Sequence, residues 1–304
     1  MTRSADPARG EEQTRAFGRV TVHVAANGGT YPYGNSMTVH GANGTLLVDP
    51  SLALQDDPVG ADVVFASHAH EDHLAGLRHF PDTDVAAHRL DAPAVRSAAT
   101  MLDGYGLDPQ VRAEFERELT ETFALGDRSE VTDVLDGHVF DLGGAVRATV
   151  IHLPGHTAGH CGLLVEPDGY FYVGDIDLTG FGPYYGDIGS SLTDFQKSIA
   201  AAAAIESRWY GTFHQKGTVT GHEEFVRRAG IYASVIAERT DKLLNFLGEP
   251  HTLADIVEHR LVYRPHVHSP YVDAVERRTA EQHLEQLMEA GEIVCDEHGF
   301  YCRT

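Results

Sequence analysis

Apolar and polar residues alternate over 19–25 (Arg-Val-Thr-Val-His-Val-Ala), the two-residue period of a strand with one face on a core. The period returns at 37–40 and 45–49 around Gly41 to Gly44, which predicts a hairpin or meander. Val63-Val64-Phe65-Ala66 is a continuous apolar run, the mark of a buried strand, and it ends at Ser67 directly before a group of histidines. A helix is expected to begin near His73 or Leu74. Between Arg89 and Leu125 the spacing becomes helical, with Leu102, Phe115, Leu119 and Phe123 as expected core positions. Strands are predicted again at 131–135, 139–142, 148–153, 161–165 and 170–173. Thr193 and Gln196 stand at capping-box spacing before the run Ile199 to Ile205, so a helix is predicted over 194–207.

Strands, helices, strands and helices in that order predict an α+β fold of two sheets with helices on their outer faces. The pattern changes near residue 235. From there the chain predicts a helix at 235–247, a second opened by Thr252 with Asp255 at capping-box-like spacing, a third at about 272–290, and a hairpin of 292–295 and 300–302 around His298-Gly299. Three helices and a two-stranded ribbon form a winged-helix pattern. The expected organisation is therefore a flexible polar arm at 1–18, a catalytic domain at 19–234 and a small winged-helix-like domain at 235–304.

Composition narrows the partners. With 304 residues, 42% of them hydrophobic, the chain is long enough to bury a large core, which excludes disorder as a whole-chain reading. The 45 acidic residues against 23 Lys+Arg leave a charge of −22, which repels phosphate backbones and anionic membranes and disfavours nucleic acid as a partner. Glu276-Arg277-Arg278 is the one compact basic spot in the winged-helix segment, so that segment is expected to serve packing or dimerisation, and a homodimer stays open. No stretch approaches the roughly 20 apolar residues of a membrane span, and Met1 to Thr14 has no apolar signal core, so the expectation is a cytoplasmic protein. Cys161, Cys295 and Cys302 are too few for a disulfide framework and are expected as reduced thiols.

The chemistry gathers at strand ends. His68-Ala69-His70-Glu71-Asp72-His73 places three imidazoles and two carboxylates within six residues after a buried strand. In extended chain His68 and His70 face one side and can meet one metal, while the turn into the next helix lets Asp72 and His73 face a second. Leu153-Pro154-Gly155-His156-Thr157 presents His156 at another strand end, and Gly174-Asp175 presents a carboxylate in the same manner. A carboxylate can bridge two cations at the roughly 3.5–4 Å spacing of two-metal sites, the role expected of Asp175. His152 and His160 read as loop or core histidines that could also support a ligand, and His266 and His268 as helix-boundary residues.

These segments, in this order, resemble the metallo-β-lactamase superfamily, with the resemblance running from about Thr21 to His222. It implies a four-layer αββα sandwich with metals at one sheet edge. It further implies that His68, His70 and His156 hold one cation, that Asp72, His73 and His214 hold the other, and that Asp175 is shared. His214, in Gly211-Thr212-Phe213-His214-Gln215-Lys216-Gly217, has His222 as a rival for the last position. The proportions are most similar to glyoxalase II-like and β-lactamase-like hydrolases with a C-terminal winged helix.

Histidine and aspartate donors without cysteine suit two divalent ions, Zn²⁺ first, with Fe or Mn compatible. A solvent molecule shared by two such cations ionises near neutral pH, which makes hydrolysis the natural reaction, with Asp72 orienting the hydroxide and then passing a proton to the leaving group. Phe181, Tyr184 and Tyr185, in the Gly-rich loop after Asp175, are the expected substrate-binding wall. The expected activity is hydrolysis of a small-molecule ester, thioester or lactone by a metal-bridging hydroxide. The alternatives are a phosphodiesterase or ribonuclease, which the charge disfavours, and a mononuclear iron oxygenase of the persulfide-dioxygenase type, which needs only His68, His156 and Asp175.

Overall fold

The computed structural model describes residues 13–54, 59–215, 217–269 and 271–304. Seven strands form the first sheet in sequence order: β1 (Gln13–Phe17), β2 (Val20–Val24), β3 (Ser36–His40), β4 (Thr45–Val48), β5 (Val63–Ala66), β6 (Asp84–His88) and β7 (Thr132–Val134). Of the polar arm expected at 1–18, residues 1–12 lie outside the described residues. The remainder is no arm, because β1 pairs antiparallel with β2 and Phe17 packs on the core between the sheets. The second sheet, β8 (Val139–Gly143), β9 (Val146–His152), β10 (Cys161–Glu166), β11 (Tyr170–Tyr172), β12 (Trp209–Gly211) and β13 (Thr218–Thr220), runs in the reverse order β13-β12-β11-β10-β9-β8.

The side-chain period of two decides which layer each residue enters. Leu46, Val48, Phe65 and Ala86 face the core between the sheets, where they meet Val146, Ala148, Val150, Leu163 and Val165. Their neighbours Leu47, Val64, Ala66, Val85 and Ala87 face outward. There they are covered by α2 (Ala92–Arg96), α3 (Ala98–Tyr105) and α4 (Pro109–Glu121), which follow the one-turn α1 (Glu71–Leu74). Leu102, Phe115, Leu119 and Phe123 are all buried in this layer, as their spacing predicts. On the far side α5 (Leu192–Ala204) and α6 (His222–Phe246) cover Phe171, Tyr210 and Val219. The result is the four-layer αββα sandwich.

Three local expectations shift. The first helix begins at Glu71, two residues early, so Asp72 and His73 lie within its single turn. Helix α5 is capped by Ser191, whose side chain accepts from Asp194 N, and not by Thr193, because Ser191 is the residue with extended backbone before the helix. The change expected near 235 falls inside α6, a continuous helix of 25 residues, so no element boundary stands there. Beyond it, α7 (Leu253–His259) carries the expected Thr252–Asp255 capping box, and α8 (Val272–Glu289) packs on a three-stranded sheet of order β14 (His251–Thr252), β16 (Phe300–Arg303), β15 (Ile293–Cys295). Cys161, Cys295 and Cys302 are free thiols.

Helix α8 also reaches back to the sandwich. Gln282 Nε2 donates to the Tyr185 carbonyl at 2.7 Å, and Tyr185 Oη donates to His283 Nε2 at 2.9 Å. The other ring nitrogen of His283 donates to Thr240 Oγ1 at 3.0 Å, whose own proton goes to the Ile236 carbonyl. This pattern needs a neutral imidazole, and burial together with the nearby Arg239 charge pushes the His283 pKa down to about 3 from 6.5. The unfolded chain therefore takes up the proton first as pH falls, so the contribution is complete above 6.5 and declines between 6.5 and about 3. In denaturant titrations, His283→Gln is expected to unfold with a shallower loss of stability over that window than the parent chain.

Candidate metal centre

Four segments end at one edge of the sandwich. After β5 the chain stays extended through His68 and His70 and then turns into α1, which carries Asp72 and His73. The loop after β9 delivers His156, the turn after β11 delivers Asp175, and the segment after β12 delivers His214. Two glycines permit the close approaches. Gly155, at φ +124°, lies where a Cβ would stand 2.2 Å from the Phe195 backbone nitrogen, and Gly174, at φ +52°, where one would stand 2.6 Å from His160 Nε2.

The seven residues fall into two groups, His68, His70, His156 and Asp175, and Asp72, His73 and His214, with the donor atoms of each group within 4.8 Å of one another. His68 Nε2, His70 Nδ1 and His156 Nε2 are mutually 3.0–3.1 Å apart. Asp175 reaches both groups: Oδ1 is 3.1 Å from His73 Nε2, and Oδ2 is 3.4 Å from His156 Nε2 and 3.7 Å from His214 Nε2. Asp72 Oδ2 lies 3.1 Å from His214 Nε2. His222 is elsewhere, its ring nitrogen on Tyr210 Oη at 2.7 Å, so His214 and not its rival joins Asp72 and His73.

Hydrogen bonds on the outer side of each ring decide where its lone pair points. His70 Nε2 donates to Asp187 Oδ2 at 2.7 Å, His73 Nδ1 to Asp49 Oδ2 at 2.9 Å, His156 Nδ1 to the Tyr184 carbonyl at 3.0 Å and His214 Nδ1 to the Gly29 carbonyl at 2.9 Å. Ser67 Oγ gives its proton to Asp49 Oδ2 and so accepts from His68 Nδ1 at 3.1 Å. In their neutral forms the five imidazoles thus turn lone pairs inward, against two carboxylates. Asp72 Oδ2, His73 Nε2 and Asp175 Oδ1 are buried and without hydrogen-bond partners. Buried acceptors converging without donors are the complement of cations, and this donor set fits two divalent metal ions.

The electrostatics agree. Burial lowers the His214 pKa, but the charges of Asp175 and Asp72 outweigh it and hold the ring at about 10, so this corner strongly favours positive charge. His68 and His156, ringed by other imidazoles, are pushed well below 6.5 by burial first and then by those neighbours.

Several supporting groups were not anticipated from the sequence. Asp49 accepts from Ser67 N, Ser67 Oγ, His73 Nδ1 and Tyr172 Oη, all within 2.6–2.9 Å. Asp91 accepts from Ala69 N, Thr157 Oγ1 and Gly159 N and so ties the first histidine segment to the loop of His156. Asp187 braces His70 and receives the Tyr184 hydroxyl at 2.8 Å. Asp49 and Asp187 follow the strand-end and Gly-Asp patterns that mark Asp175, whereas nothing local marks Asp91. His160 supports Asp175, accepting from its backbone nitrogen at 3.1 Å while donating to the Leu153 carbonyl. His152 Nε2 meets the Ala158 carbonyl and takes no part.

A cavity of about 310 Å³ opens over the centre, with His70, Asp72, His156, Asp175 and His214 at its floor. Phe181 and Tyr184 line it, as expected of substrate-binding residues. Tyr185 does not: its ring is buried and its hydroxyl is held by His283, because α8 offers it a partner on the side away from the cavity.

The model of the metallo-β-lactamase superfamily matches residues 29–236. The chain belongs to the metallo-β-lactamase superfamily. The N-acyl homoserine lactonase AttM of Rhizobium radiobacter is 28% identical over 180 residues, a match spanning 58% of this chain and less than two thirds, 63%, of that protein. Among solved structures, a metallo-β-lactamase family protein of Thermus thermophilus superposes with a TM-score of 0.69 at 21% identity, covering 94% of this chain and 99% of that one. A β-lactamase domain protein of Burkholderia ambifaria gives 0.72 at 17% identity, covering 99% and 96%.

Elemental mass spectrometry of protein purified without added metal should find two divalent ions per chain, falling to one or fewer in Asp175→Ala. Asp91→Ala would orphan the buried Ala69 and Gly159 amides, at about 1–3 kcal/mol each, and is expected to lower both metal content and the denaturation midpoint.

Proposed function

We propose that this protein is a dinuclear metal-dependent hydrolase of a small ester, thioester or lactone, with zinc as the metal of first choice. The observation that carries the reading is the set of five histidines and two aspartates gathered in and beneath the floor of a cavity large enough for a small organic substrate. In this reading His68, His70 and His156 would hold one cation, Asp72, His73 and His214 the other, and Asp175 would be shared. Two such cations would supply hydroxide at neutral pH and polarise a carbonyl oxygen. The similarity to a lactonase is a reason to test lactones first.

The chain's own groups do the rest. Asp72 lines the cavity beside the other residues of the centre, so its carboxylate would be placed to orient the attacking water and pass its proton to the leaving oxygen or sulfur. Tyr184 gives its hydroxyl proton to Asp187, which holds His70, so this tyrosine acts as a wall and as a brace for a ligand. The aromatic rings of Tyr31, Tyr105, Phe115, Phe181, Tyr184, Tyr263 and Tyr271 give the cavity an apolar wall. A single-metal oxygenase would leave Asp72, His73 and His214 without a task, and among the described residues no lysine or arginine lines the cavity to receive a phosphodiester.

The test is a panel of lactones, thioesters and aryl esters with metal-replete protein. Hydrolysis is expected, abolished by chelator and restored by zinc, and Asp72→Asn is expected to lower kcat by about 10²–10⁴-fold. Oxygen consumption with a persulfide and a single iron per chain would overturn the reading.

A further inference from the structure

The cavity contains a polar focus that hydrolysis itself does not use. Glu71, 5% exposed, lines it beside Asp72. Its Oε1 accepts from Tyr31 Oη at 2.9 Å and its Oε2 from Tyr105 Oη. The two phenols hold the carboxylate in place without supplying a counter-charge. From Tyr105 a continuous aromatic wall leads away: ring centroids are 5.0 Å apart for Tyr105 and Phe115, 5.7 Å for Phe115 and Tyr271, 6.2 Å for Tyr271 and Tyr263, and 5.5 Å for Tyr263 and Phe181. All five line the cavity. A further carboxylate, Asp177, lines it too, as does Thr179, whose Oγ1 is buried and has no partner.

A carboxylate among aromatic rings attracts one kind of group. The ring faces carry the negative end of a quadrupole and Glu71 presents a carboxylate fixed as an acceptor by two phenol donors, so both favour a cation, and neither demands a particular hydrogen-bond geometry. On the wall away from the metal floor, whose cations would meet the carbonyl, an anionic arm would face Glu71 and Asp177 with no lysine or arginine among the described lining residues to offset them. The Arg239 guanidinium lies behind this wall, 5.8 Å from the Phe181 ring, with its N–H groups donated to the Phe181 and Pro183 carbonyls. A purely aliphatic arm would leave the buried carboxyl group of Glu71 facing hydrocarbon.

We propose, building on the hydrolase reading, that this cavity is the subsite for a substrate arm bearing an alkylammonium group, held by Glu71 and the rings of Tyr31, Tyr105 and Tyr271. The ester, thioester or lactone carbonyl then lies at the metal floor and the cationic arm against α1 and the aromatic wall.

The test compares three acetate esters with metal-replete protein: the choline ester, its uncharged isostere 3,3-dimethylbutyl acetate, and an ester of similar length ending in a carboxylate. The choline ester is expected to exceed the isostere in kcat/KM by roughly tenfold or more, with the carboxylate ester lowest. In Glu71→Gln the ratio of the first two should fall toward one. Independently, saturation-transfer NMR should detect tetramethylammonium bound to the metal-replete parent and weakened in Glu71→Gln. Equal or better turnover of the isostere by the parent chain would overturn the subsite while leaving the hydrolase reading intact, and this comparison does not depend on the variant folding. Should none of the esters be cleaved, the hydrolase reading loses support, and the subsite stands or falls on tetramethylammonium binding to the parent chain.

Discussion

Five imidazoles can hold a pair of cations only if every one of them directs its proton outward. An inward N–H on any ring would take up the lone pair that a cation needs. The outward acceptors are therefore as necessary as the histidines: the carboxylates of Asp49 and Asp187, the carbonyls of Gly29 and Tyr184, and the hydroxyl of Ser67. They come from positions 29 to 187 of the chain, so the centre is only as well ordered as the whole sandwich around it.

Asp49 shows how the two sheets are made to agree. It stands at the end of β4 in the first sheet, holds Ser67 and His73 beside it, and receives the Tyr172 hydroxyl from β11 in the second. The stack of His73 against Phe213, with centroids 3.5 Å apart, adds an apolar contact across the same gap. Asp91 makes the corresponding tie between the first histidine segment and the loop of His156. The edge of a sandwich is where two sheets are free to slide, and here buried carboxylates with several backbone and side-chain donors resist that motion.

Much of this was legible in the chain, for identifiable reasons. Period-two alternation named the strands and their faces, since Leu46, Leu47 and Val48 divide between layers as alternation requires. The histidine cluster and the two later strand-end motifs were visible because close ligands leave a local signature. The supporting carboxylate Asp91 was not, because its partners Ala69, Thr157 and Gly159 offer mostly backbone donors far away in sequence, and backbone donors leave no residue type to recognise. Tyr185 was misread for a related reason: the partner that turns it from the cavity, His283, lies 98 residues later. The boundary expected at 235 failed because the helical period simply continues through it, and the first turns of α6 serve the sandwich while its last turns serve the C-terminal core.

The C-terminal segment is more than an attachment to that long helix. Tyr263 and Tyr271, from the connection between α7 and α8, stand in the wall of the cavity over the metal centre, and Glu276 fixes that connection by accepting from the amides of Leu261, Val262 and Tyr263. Part of the shape of the space above the chemistry is thus encoded in a separate stretch of chain. Lineages sharing this arrangement can diverge in what they accept by altering one surface connection, while the ligands and the sheets that hold them stay under unchanged constraint.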